Sequence, residues 1–347
     1  MNIPAEFMSL TSEAVVIVRG SVIVYANSAA QEYLGSVCTG RSVREVFGAE
    51  IDSVQASSYS ASAVLNGRSF ILRSGIIDGM KLILFSPTDN PGTVLNSTFL
   101  SAINSTLMNL TVTAENGISI AERLNNAELL NCFASVNKIY YKLKRLSSNV
   151  TTAENFFSRT LPFFPMPYDV SKLVYSYINA GRSLSPKIDF RTNLPESLIV
   201  NFDRQLVFSA LSNLISNCIV HAENCSLVSV SVTESSTAVL ISVTDNGCGI
   251  PPEVLSGVFS RYRFVDALSS CSGAGLGMTV VRAAAELHGG TLLVESRENI
   301  GTTARFSLSK NTRRCSDTLG IVNETEDIGM QELYTSLPDI LPPEVLI

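Results

Sequence analysis

Asn213 and Asn217 stand four residues apart in an apolar run, so on a helix both amides share a face. An amide carbonyl is a hard oxygen ligand suited to Mg²⁺, which itself bridges phosphates. Further along, Asp245-Asn246-Gly247-Cys248-Gly249-Ile250 follows a run of strand-forming residues. A carboxylate at a strand end can accept a hydrogen bond from an exocyclic amine, and Gly247 and Gly249 let the backbone pass close to a flat ring. Gly273-Ala274-Gly275-Leu276-Gly277 then opens a helical pattern, where N–H groups at the positive helix end favour phosphate. Taken singly these are common words: an asparagine pair is usually polar surface, Asp-Asn-Gly usually a turn. In this order, with Gly301-Thr302-Thr303 in a closing hairpin, they form a far more specific signal.

The elements that must position these residues fall within 168–310. Val170–Ala180 and Arg204–Val220 read as helices, the second apolar on one face at 206, 207, 210, 211, 214 and 218. Strands are predicted at Leu227–Thr233 and Val239–Thr244, a helix at Gly277–His288 ended by Gly289-Gly290, and a hairpin at Thr291–Ser296 and Thr302–Leu308. A sheet with helices segregated to one face is an α/β sandwich. Upstream, residues 92–150 carry Leu100, Ile103, Leu107, Leu110, Ala114, Gly117, Ala121 and Leu124 at spacings of 3 and 4. The pattern resumes at Leu129 after Asn125-Asn126, which predicts two antiparallel heptad helices. One hairpin cannot bury its seam alone, and a dimeric four-helix bundle is the economical solution.

Residues 7–87 read as a small α+β unit. Ala14–Val18 and Val22–Tyr25 flank a turn, Asn27 stands at an N-cap, and Gly35 closes the helix. Ser60–Leu65, Ser69–Ile76 and Met80–Phe85 form a meander, with Asn66-Gly67 and Asp78-Gly79 as hairpin turns. Residues 311–347, with Pro338, Pro342, Pro343 and clustered acids, read as a poorly ordered tail. The whole is an α+β multidomain chain.

Composition narrows the function classes. Hydrophobic residues are 46% and charged residues 16%, the opposite of a disordered chain. A net charge of -6 argues against a broad nucleic-acid surface. No apolar stretch approaches a membrane span and no signal peptide is visible. The seven cysteines are odd in number and form no CxxC pair, so they read as reduced thiols of a cytoplasmic protein. With two histidines at no ligand spacing, a zinc site is not expected.

Residues 7–87 resemble a PAS domain through Glu13–Val18, Val24–Ala30, Tyr33-Leu34-Gly35 and Gly40-Arg41-Ser42-Val43 with Val46-Phe47. Residues 168–310 resemble the ATP-binding domain of sensor histidine kinases, within the group that includes Hsp90, gyrase and MutL-type ATPases. Asn213–Asn217 is similar to that family's N box, Asp245–Gly249 to its G1 box, Gly273–Gly277 to its G2 box, and Val258–Phe264 to its F box. Leu287-His288-Gly289-Gly290 and Gly301-Thr302-Thr303 match its downstream words. The resemblance implies ATP and Mg²⁺ as ligands, with Asn217 holding the metal, Asn213 assisting and Asp245 reading the adenine amino group. Gly247 and Gly249 would flank the base, Gly273, Gly275 and Gly277 would hold the phosphates, Leu276 and Thr302 would also bind the ATP, and 251–272 would form a lid.

Two departures qualify that expectation. The family often has a basic residue three positions after the metal asparagine, and here it is Val220, followed by His221. More consequentially, Phe99–Leu107 aligns with the helix word that carries the phosphoacceptor histidine, and on that register the acceptor is Ser105 and the following glutamate is Thr106. Imidazole has a lone pair available at neutral pH, an unassisted hydroxyl is a poor nucleophile, and the carboxylate that could take its proton is absent. Neither His221 nor His288 is expected to replace the acceptor. Asn109 matches a position linked in the family to dephosphorylating a receiver domain. The expectation is a cytoplasmic dimeric signalling protein that binds Mg-ATP without ordinary histidine autophosphorylation, with a response regulator or another signalling protein as partner. The rivals are a kinase acting on Ser105 or a partner residue, and a non-catalytic scaffold.

Overall fold

The structure is a computed structural model that describes residues 14–35, 38–48, 51, 59–65, 68–77, 80–87, 97–184, 188–222, 224–255, 276–313 and 330–338. The lid beyond Leu255, the F-box word, Gly273, Gly275 and the turns Asn66-Gly67 and Asp78-Gly79 lie outside the described residues.

The N-terminal unit contains β1 (Ala14–Arg19), β2 (Val22–Ala26), α1 (Ser28–Leu34), α2 (Val43–Phe47), β3 (Tyr59–Leu65), β4 (Arg68–Ile77) and β5 (Met80–Pro87). Its antiparallel strands run β2-β1-β5-β4-β3. Asn27 caps α1 as its sequence position predicts: one carbonyl oxygen accepts from the N–H groups of Ala30 and Val15, both at 2.9 Å, and so fixes the helix start to β1. Phe70, Phe85, Phe47 and Tyr33 meet edge to face in the core.

Two long helices follow, α3 (Ser97–Arg123) and α4 (Ala127–Phe157). They turn at Asn125, with φ of 46°, and Asn126, whose side chain accepts from the N–H groups of Glu128 and Leu129. Leu107, Ala114 and Ala121 of α3 and Ala134 and Tyr140 of α4 are buried, whereas Leu124, expected on the seam, is exposed. The side chains of Leu100 and Ile103 lie outside the described residues.

The C-terminal unit runs through β6 (Met166–Asp169), α5 (Val170–Leu184), β7 (Asp189–Asn193), β8 (Ile199–Phe202), α6 (Arg204–Val220), β9 (Leu227–Glu234) and β10 (Ala238–Asp245). It continues with α7 (Pro252–Leu255), α8 (Leu276–Leu287), β11 (Leu292–Arg297), β12 (Gly301–Ser309) and α9 (Met330–Ser336). Strand order is β11-β12-β10-β9-β7, antiparallel except for the parallel β7–β9 pair, and β6 pairs with β8 apart from this sheet. Val228, Val230 and Val232 alternate with serines along β9, so one face of the sheet buries against α5, α6 and α8.

Two features depart from expectation. β3 pairs antiparallel with β11, matching Leu292 with Ser62 and Glu295 with Tyr59, so the two units share one ten-stranded sheet. Leu293 is consequently buried in the N-terminal core. Secondly, residues 330–338, expected within the tail, instead fold against the C-terminal unit because Leu333 and Leu337 reach its core. Among the described residues, no helix is long and apolar enough to cross a membrane.

Candidate functional site

A cavity of about 240 Å³ opens between α6, α8, β10 and the β11–β12 hairpin, walled by Leu214, Cys218, Val243, Ile250, Val254, Met278, Val294 and Ala304. Asn217, Gly249 and Thr302 line it as well. Asp245 ends β10 beside it, and its Oδ1 accepts from the N–H of Gly247 at 2.9 Å and of Thr302 at 3.3 Å. The carboxylate is therefore fixed by backbone donors, and among the described residues its Oδ2 accepts no backbone hydrogen bond.

The 245–250 loop is sewn to the closing hairpin. Ser296 Oγ accepts from the N–H of Ile250 at 2.7 Å and lies 2.9 Å from Thr302 Oγ1, while the N–H of Asn299 donates to the Cys248 carbonyl at 2.6 Å. Asn246 points away and accepts from the N–H groups of Ser226 and Leu227. Gly249 has φ of +70°, and a Cβ there would strike the Arg297 carbonyl. A glycine is required on both counts.

The asparagine pair divides its duties. Asn217 Nδ2 donates to Met278 Sδ at 3.5 Å, and among the described residues its side-chain oxygen Oδ1 accepts no hydrogen bond. That leaves a hard oxygen at the cavity wall, which fits a magnesium ligand. Asn213 is 2% exposed and turned to α4. Its amide pairs reciprocally with that of Asn149, at 2.9 and 3.2 Å, and its Oδ1 also accepts from Arg145 Nη2 at 3.2 Å. Arg145 Nη1 also donates to Ser216 Oγ at 2.6 Å. A Cβ on Gly277 would stand 2.9 Å from Asn213 Oδ1, so the start of α8 borders this cluster. Leu276 is buried against Val150 and Ala153 of α4. Arg145 and Asn149 had no signal in the sequence beyond their i,i+4 spacing.

The remaining candidates sort by environment. Burial pushes the Cys218 thiol well above its ordinary range, and the nearby Asp245 charge raises it further, so it is no nucleophile. His288 is 1% exposed, with Nε2 accepting from the Asp203 N–H at 2.8 Å and Nδ1 2.6 Å from the Ala284 carbonyl. Burial lowers its pKa, and the ring is a structural bridge between α8 and the start of α6. Ser105, Thr106 and Asn109 are exposed on α3.

An apolar slot, an anchored strand-end carboxylate and an asparagine oxygen fit a nucleotide base and its metal. Residues 202–312 match the family model for histidine kinase-, DNA gyrase B- and HSP90-like ATPases. Over these residues the chain is similar to histidine kinase-type ATPase domains. The chain is 39% identical over 144 residues to the sensor-like histidine kinase SenX3 of Mycobacterium tuberculosis, covering 40% of this chain and 35% of SenX3. It is 34% identical over 126 residues to the sensor histidine kinase WalK of Bacillus subtilis, covering 35% of this chain and 21% of WalK. A solved structure of histidine kinase ThkA in complex with response regulator protein TrrA is 19% identical, with a TM-score of 0.40, over 88% of this chain and 98% of that one. The chain thus spans about a third or less of the length of these curated relatives.

Proposed function

We propose that the chain is a histidine-kinase-like signalling protein that binds Mg-ATP in the cavity beside Asp245 and does not autophosphorylate a histidine in the ordinary way. The observation that carries this reading is the convergence of Asn217, Gly249 and Thr302 on one apolar-walled cavity, with Asp245 held beside it by the Thr302 N–H. When bound, Mg-ATP supplies a transferable γ-phosphoryl group. Asp245 accepts a hydrogen bond from the exocyclic amine of the base, and the Thr302 and Gly247 N–H groups hold its carboxylate for that purpose. Leu214, Val243, Ile250 and Met278 keep water from the ring faces. Asn217 offers the metal its carbonyl oxygen, and Leu276 and Gly277 begin the helix whose N–H groups favour phosphate.

The acceptor position is what separates this chain from an ordinary kinase. Ser105 is exposed, as an acceptor must be, but hydroxyl chemistry needs a base and its neighbour is Thr106. Residues 7–87 are read as a PAS-like input module and the hairpin of 92–150 as the dimerisation element. The kinship with sensor histidine kinases and the exposed Asn109 support a response regulator as partner.

Incubation with γ-labelled ATP and Mg²⁺, beside an Asp245→Asn control, tests the reading. Binding that needs Asp245 without label on the chain is the expected result. Acid-stable label that needs Asp245 identifies a hydroxyl kinase, with Ser105→Ala the next variant. Acid-labile label overturns the assignment of Ser105. Failure to bind Mg-ATP leaves an interaction scaffold.

A further inference from the structure

The C-terminal helix α9 lies beyond the matched ATPase domain yet touches both of the parts that Asn213 joins. Leu333 and Leu337 are buried in the ATPase core. Glu332 meets Arg204, at the start of α6, through paired contacts of 3.3 and 3.4 Å. From the same short helix, the Tyr334 ring stacks edge-on against Tyr141 of α4, with centroids 5.5 Å apart. Thr335 and Ser336 share the walls of a cavity of about 290 Å³ with Arg145, Asn149 and Asn213. A seven-residue helix therefore grips the ATPase domain with one face and the hairpin with another. Immediately beneath it, the hairpin's Asn149 and Arg145 occupy the Asn213 amide.

We propose that α9 is an autoinhibitory strap that holds the hairpin against α6, keeping Asn213 engaged by Asn149 and Arg145 and unavailable to a bound nucleotide. Both donors onto Asn213 Oδ1 come from α4, and its Nδ2 is used by Asn149 and the Ser209 carbonyl. A metal or phosphate can recruit this amide only after α4 withdraws. The contacts of α9 add to the cost of that withdrawal. The proposal rests on the nucleotide reading of the neighbouring cavity, and its test separates the two.

The full chain, the double variant E332A/Y334A and the variant Y141A would be compared by binding of a fluorescent ATP analogue with Mg²⁺ and by small-angle scattering without nucleotide. The double variant leaves Leu333 and Leu337 in place, and Y141A removes the same contact from the opposite side without touching α9. Both variants are expected to bind the analogue roughly tenfold tighter, within the usual range of coupling between sites, and to show a larger radius of gyration. Unchanged affinity in folded variants overturns the strap, whatever the radius does. If no form binds the analogue, the nucleotide reading fails and takes the autoinhibitory role with it, and expansion of the variants then shows only that α9 holds the hairpin against α6.

Discussion

His288 shows how a residue with obvious chemical potential is consumed by structure. Its imidazole takes the Asp203 N–H on Nε2 and sits within hydrogen-bond distance of the Ala284 carbonyl through Nδ1, a neutral-ring arrangement with no room for a second proton. Burial is the main cause of its lowered pKa, outweighing the Ala284 bond and the Asp203 charge, which act upward. The unfolded chain, whose histidine titrates near 6.5, therefore binds more protons than the folded one just below that pH. Stability is fully present above pH 6.5 and is lost as pH falls from there through the lower folded value. Thermal unfolding measured between pH 8 and pH 5 should show this decline, and His288→Gln should flatten it while lowering stability throughout. Gly249 makes the complementary case. With φ of +70° and the Arg297 carbonyl where a Cβ would go, Gly249→Ala must move the loop that carries Asp245. Affinity for a fluorescent ATP analogue should fall at least about tenfold, while far-UV circular dichroism stays unchanged, because strain of ~1–2 kcal/mol for a left-handed residue falls on one loop.

At the scale of elements, the point that binds the two units is the β3–β11 ladder. Leu293 belongs by sequence to the ATPase hairpin and by burial to the N-terminal core, at 3% exposed. Its neighbour Val294 lines the cavity beside Asp245, and Ser296 on the same strand fastens the Ile250 N–H. A displacement of β3 is thus one strand away from the loop that holds Asp245. Leu293→Ala should cost about 2–5 kcal/mol and should appear in calorimetry as an earlier transition for the N-terminal unit, with the ATPase transition little altered. The ladder also marks the limit of what the sequence discloses. Asn27 as a cap, the turn at Asn125-Asn126, the apolar face of α6 and the strand that ends in Asp245 are all local signals, set by spacing within a few residues. The β3–β11 pairing joins positions far apart in the chain, and nothing local selects one exposed edge over another. The four-residue strands β6 and β8 escape for a related reason: Met166-Pro167-Tyr168-Asp169 contains a proline and is too short to show a period. The helix α9 is hidden by the acids and prolines around it. Asn213 is the instructive site residue, since its type and spacing identify the cluster but its partner amides come from α4.

At the scale of the whole molecule, the hairpin decides how many chains make the functional unit. Its inner seam is already closed by Leu107, Ala114 and Ala121 against α4, so those residues need no partner. Two short stripes remain outside, Met108 with Val112 on α3 and Ile139 with Leu143 on α4, each pair four residues apart, and Ile120 and Leu124, the latter just past the end of α3, are exposed as well. Met108 is 71% exposed and Leu124 65%. Scattered exposed apolar residues need no explanation, but paired stripes on two antiparallel helices are what an interaction face between two copies would present. A second hairpin laid against them would complete a four-helix bundle and cover both stripes at once. Light scattering at micromolar concentration should therefore give twice the mass of the chain. The double substitution M108E/V112E, which places two charges on the stripe and leaves the inner seam intact, should return the mass of one chain with helix content preserved. A single-chain mass for the unsubstituted protein would remove the bundle, and with it the arrangement in which Ser105, three residues before Met108, stands at the rim of an interface shared by two copies.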